Sequence, residues 1–94
     1  MNYILVDKKP VVEKDIIKWS RWYEKGDRKV ANTVIDGVRV STVFLGLDHS
    51  FESGEPILFE TLVFDGDKDG DMDRCSTWEQ AEKMHEKMCT KVRG

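Results

Sequence analysis

The spacing of apolar residues changes period several times along this chain, and each change marks a different element. Tyr3 to Val6 is a short apolar stretch suited to a strand. From Pro10 onward the period becomes helical: Val12, Ile16, Trp19 and Tyr23 recur at intervals that stack them on one face. Gly26 then stands where a helix ends in the left-handed conformation that glycine tolerates. Two runs rich in β-branched residues, Val30–Ile35 and Val38–Phe44, flank Asp36-Gly37, a pair that favours a tight type I′ hairpin turn. That turn sets Ile35 opposite Val38, Thr33 opposite Val40 and Ala31 opposite Thr42. The apolar positions run on through Val43, Leu45 and Leu47, so a bulge near Ser41 is expected. A loop over 48–56 precedes a further strand, Ile57–Phe64. Ser76-Thr77-Trp78-Glu79 has the form of a capping box, and Ala81, Met84, His85, Met88 and Val92 make the inner stripe of a last helix.

The element order is therefore β-α-β-β-β-α, an α+β fold. Short connections favour an antiparallel sheet with the two helices packed on one face. An interleaved arrangement, with the first strand at an edge or swapped into a partner, is the competing topology. Ninety-four residues suffice for one domain, residues 1–94, with a modest core. With 39% hydrophobic and 35% charged residues, the composition is that of a soluble globule. A net charge of −3 argues against a nucleic-acid partner, which would want a basic face. No apolar run reaches the roughly 20 residues of a membrane span, and the opening MNYILVDKKP lacks the form of a signal peptide. Cys75 and Cys89 are separated by about 20 Å if the intervening residues are helical, far beyond the ~7 Å limit for a disulfide. Both are expected as reduced thiols in a cytoplasmic protein.

Chemistry concentrates in three places. Residues 65–76, DGDKDGDMDRCS, nearly reproduce a twelve-residue calcium loop: Asp65, Asp67, Asp69, Asp71 and Asp73 fall at ligand positions and Gly70 at the turn. Ser76 stands where the closing bidentate Glu belongs, so Ca2+ binding competes with a solvated acidic turn. Asp48, His49 and Glu60 form the second set, suited to a metal or to acid–base work if the 48–56 loop folds back beside the strand. Glu60 also lies in a strand apolar on both faces, where a carboxylate needs a partner from Arg28, Arg39 or Arg74. His85 reads as a satisfied core histidine. Trp22, off the main stripe of its helix and beside Arg21 and Tyr23, is a candidate contact residue, because Trp, Tyr and Arg dominate binding hot spots. No complete catalytic set is present in this pattern.

Several blocks carry a resemblance. Trp19 to Tyr23, Ser41 to His49, Leu58 to Phe64, Asp73-Arg74 and Ser76 to Glu82 resemble a family of small proteins found in phages and prophages. The resemblance implies a context and no mechanism: a bacterial host cytoplasm, and an accessory protein that binds and blocks a host target, a defence system included. Arg21, Trp22, Asp48 and His49 are then the expected contacts with a host protein. The alternative is a nucleotide ligand held by Glu60, Arg39, Arg74, His49 and an aromatic ring, within one chain or across a homo-oligomer interface. A metal or calcium protein is the remaining alternative.

Overall fold

The computed structural model describes residues 1–50 and 54–94. It is an α+β fold with the order β-β-α-β-β-β-β-α. Strands β1 (Tyr3–Val6) and β2 (Lys9–Val12) form a two-stranded antiparallel hairpin, followed by helix α1 (Ile16–Lys25). Strands β3 (Lys29–Ile35), β4 (Val38–Phe44), β5 (Phe59–Phe64) and β6 (Met72–Cys75) form an antiparallel sheet in that order, and helix α2 (Trp78–Arg93) closes the chain.

Two strands were not expected. The helical pattern drawn from Pro10 is broken because Asp7 and Lys8 take positive φ (50° and 68°) and turn the chain into β2. Pro10 then pairs with Leu5 and Val12 with Tyr3. The helix starts at Ile16, where the Asp15 side chain accepts hydrogen bonds from the amides of Ile17 and Lys18. The second addition, β6, is cut from the acidic segment: Met72, Asp73, Arg74 and Cys75 pair with Leu62, Thr61, Glu60 and Phe59. Gly26 ends α1 with φ −71°, not left-handed. Glycine is needed there for space, since a Cβ would lie 2.6 Å from the Trp22 carbonyl oxygen and 2.8 Å from its ring. The cap of α2 sits one residue later than expected, with Thr77 and Gln80 exchanging the reciprocal bonds.

The central hairpin has the expected register, Ile35 to Val38, Thr33 to Val40 and Ala31 to Thr42, and the irregularity lies between Lys29 and Ala31 instead of near Ser41. The alternation of β4 and β5 therefore stays in phase. Val40, Thr42 and Phe44 with Phe59, Thr61 and Val63 all turn to one face, and α2 lays Ala81, Met84, His85, Met88 and Cys89 across it. Leu58, just before β5, is buried with Phe59. A relay of rings runs through this layer: Trp22 edge-on to Phe44, Phe44 against Phe59, and Phe59 edge-on to Trp78. Trp22 thus brings α1 to the same side of the sheet as α2. Inside the layer, His85 is 2% exposed; its Nε2 is 2.8 Å from Thr33 Oγ1 and its Nδ1 2.7 Å from Thr42 Oγ1. Thr42 in turn bonds Thr61. A neutral imidazole satisfies this chain, one nitrogen donating and the other accepting.

Candidate functional site

The side chains that alternate with this core occupy the other face of the sheet, which carries no helix among the described residues. Register places them in rows: Val34, Arg39 and Phe64; Asn32, Ser41, Leu62 and Met72; Val43, Glu60 and Arg74. Leu62, Phe64 and Val43 are half-buried by their neighbours, while Val34 and Met72 remain 66% and 49% exposed. An apolar centre with charged flanks results. On one flank the Arg74 Nη2 and Nε both reach Glu60 Oε2, at 2.9 and 3.0 Å, so the expected arginine partner of Glu60 is the one directly across the strands. On the other, the Arg39 guanidinium lies over the Phe64 ring, 4.2 Å from its centroid. Three of the candidates drawn from the sequence, Arg39, Glu60 and Arg74, thus share one surface.

The remaining candidates do not join them. Arg21 is exposed on α1, but Trp22 is partly buried against Phe44 and is not the free contact residue expected. The first turn of α1 exposes Ile16 and Ile17 instead, at 59% and 61%. The Asp48 carboxylate accepts the amides of Ser50 (2.8 Å) and Ile57 (2.9 Å), which close the loop it begins. Those bonds, Ser50 first, hold its pKa below the usual carboxylate range. The His49 amide donates to the Ile57 carbonyl at 3.0 Å. Asp48 and His49 therefore tie residues 48–50 to Ile57 and do not form a three-residue cluster with Glu60, while residues 51–53 of the expected loop lie outside those described.

The acidic segment is not gathered into a cage. Asp69 Oδ1 accepts the Asp65 amide at 2.6 Å, and the Gly70 amide donates to Val63 O. Asp71 bonds Lys91 Nζ at 2.7 Å, which lowers its pKa, and Asp73 sits in β6 opposite Thr61. Among the described residues, no three His, Cys, Asp or Glu side chains come together as a metal site requires. Pairing with β5 extends the backbone where a calcium loop would coil. Cys75 and Cys89 are free thiols, and burial raises Cys75 to about 11, which leaves it protonated and a poor nucleophile.

Phe64 and Leu62 are not distinguishable as surface residues from the sequence because 57–64 is apolar on both faces, and only the packing of α2 on Phe59, Thr61 and Val63 leaves them, with Val43 and Met72, on the open side. Their signal was the alternation itself, with a charged residue recurring on this side of each inner strand. The chemistry available here is adhesion: apolar area, one paired carboxylate, two guanidinium groups and an aromatic ring. Among the described residues, no helix is long and apolar enough to cross a membrane. Compared with protein-family models, curated proteins and solved structures, the chain matches none.

Proposed function

We propose that this protein acts by holding a partner protein on the open face of its four-stranded sheet, without transforming it. The observation that carries this reading is the composition of that face. Half-buried Leu62 and Phe64 lie between Arg39 and the Arg74–Glu60 pair, with Val34 and Met72 exposed beside them. Apolar and aromatic side chains with arginine at the margin are what protein interfaces concentrate, and their anchors sit on rigid elements. The likeness of the Ser41–His49 and Leu58–Phe64 blocks to small phage proteins supplies the setting. The partner is then a component of a bacterial host, an immune system included, and the act is inhibition by occupation in the host cytoplasm.

The test begins with capture from bacterial lysate and proceeds to affinity measurement with the recovered protein. Arg39→Ala and Met72→Glu, both on the open face, are expected to weaken binding at least tenfold with unchanged circular dichroism. Failure to recover a specific partner, or indifference of its affinity to both substitutions, rejects the reading.

A second reading is favoured by Arg39 over Phe64 with Arg74 on the same face, the pairing of charge and ring that a nucleotide uses. Calorimetric titration with a panel of cyclic nucleotides separates the two: heat that Phe64→Ala abolishes supports a nucleotide, and flat titrations reject it.

A further inference from the structure

Among the described residues, three strand edges have no neighbouring strand, and they are not treated alike. At the rim of the N-terminal hairpin, β2 is blunted. Val6 and Lys9 flank a two-residue turn and form the hydrogen-bonded pair, so the backbone nitrogen of Pro10 points outward and carries no hydrogen. At one rim of the large sheet, β6 is four residues long, two of them charged. Natural sheets protect their edges in these ways against pairing with another chain. Strand β3, at the opposite rim, has seven residues, KVANTVI, with no proline and its one charge at the start.

The hairpin register fixes what that edge offers. Ile35 and Val38 close the Asp36-Gly37 turn, so Ile35, Thr33 and Ala31 bond to β4. The N–H and C=O of Asn32 and Val34 point away from the sheet, and both residues are exposed. Such a row is matched only by another extended backbone. We infer that β3 pairs antiparallel with β3 of a second copy of this chain, joining the two four-stranded sheets into one continuous sheet in a two-fold dimer. The second copy fits because the strand complements itself. With the axis at Thr33, each Asn32 faces Val34 of the other copy and exchanges both backbone bonds with it. Lys29 of each copy then lies beside the Asp36-Gly37 turn of the other, so opposite charges meet at both ends and no like charges oppose. A two-fold interface requires this self-complementarity. The dimer doubles the open face without covering it.

Sedimentation of the whole chain together with amide hydrogen exchange tests this. The expected result is a concentration-dependent dimer in which the Asn32 and Val34 amides slow as association proceeds. Val34→Pro removes an N–H that the monomer does not use and should sediment as a folded monomer. Lys29→Glu, on an exposed side chain, should weaken association roughly tenfold by setting like charges at both ends, and adding Asp36→Asn should recover part of the loss. A monomer at every attainable concentration overturns the inference. So does a dimer whose Asn32 and Val34 amides exchange freely, or one that neither Val34→Pro nor Lys29→Glu weakens. Protection of these amides only when a foreign protein is added would assign the edge to that protein instead.

Discussion

Among the described residues, every fully buried side chain lies between Val40 and Cys89, and residues 1–28 contribute none. The two regions are ordered by different means. The sheet and α2 interlock large apolar side chains around Phe44, Phe59 and Met84, with a second cluster of Val40, Val63, Met88 and Cys89. The N-terminal hairpin and α1 are held at a few points. Trp19 Nε1 donates to the carbonyls of Tyr3 (3.0 Å) and Gly46 (3.2 Å), the Tyr3 amide donates to Gly46 O, and Trp22 leans on Phe44. Gly46 takes part because its φ is +78° and a Cβ there would press within 3.0 Å of Tyr23. Full burial makes the first region cooperative, whereas the second reaches the core only at its margin, through partly buried Tyr3, Leu5 and Trp22, and leans more on directional bonds.

The largest effect is therefore expected at Phe59, which touches Phe44 on one side and Trp78 on the other. Phe59→Ala should cost about 3–5 kcal/mol, the range for truncating a buried aromatic, and lower the melting transition of the whole molecule. A drop confined to one region would show that the two do not unfold together.

Trp19→Phe sharpens the contrast from the other side. It keeps the ring against Tyr23, at 4.9 Å between centroids, and removes the indole N–H. The loss should be about 1–2 kcal/mol, that of a hydrogen bond with its acceptors left unpaired. Hydrogen exchange should quicken at Tyr3 and Ile4 with little change at Val40. Equal quickening at both places would mean that the hairpin is part of the core's cooperative unit.

The same contrast explains what could be read from the residues alone. The β3–β4 hairpin and α2 were legible because their determinants are local: an Asp-Gly turn between alternating strands, and a stripe at helical period under a capping box. Strand β2 was hidden by Pro10, which opens helices as readily as it guards an edge, and only the turn at Asp7 and Lys8 decides between them. Strand β6 was hidden by composition, since Asp71, Asp73 and Gly70 speak for a loop. It becomes a strand because β5 offers it an edge. The open face was half legible for a related reason. Glu60 and Arg39 stood out as charges among apolar residues and Arg74 as a possible partner for Glu60, but their meeting depends on the registers of three strands, which no single segment encodes.

Protonation of His85 separates the regions by pH. Its burial among threonines lowers its pKa below the ordinary 6.5, against a smaller opposing pull from the Glu86 carboxylate. Below pH 6.5 the unfolded chain binds a proton that the folded chain refuses. Stability should then fall as pH drops, until the folded value is reached, and be flat with respect to this group above 6.5. Asp48 and Asp71, also lowered, act with the same sign but only below 3.8. Denaturant titrations across this range should show the upper slope and lose it in His85→Gln; a slope that survives places its origin elsewhere.

The smallest expected effect is that of calcium. A ligand that binds only the folded state raises its melting temperature by an amount that grows with the logarithm of its concentration above the dissociation constant, so the acidic segment can be tested without knowing its partner. Asp71 is engaged by Lys91, Asp69 by the amide of Asp65, and Asp73 is carried off on β6. Millimolar calcium should leave the transition where it is, while magnesium at equal ionic strength controls for screening. A rise specific to calcium would require the Asp71–Lys91 pair to open and β6 to peel from β5. The region that looks most rigid would then have a movable rim, and Lys91→Ala, which frees Asp71, should enlarge that rise.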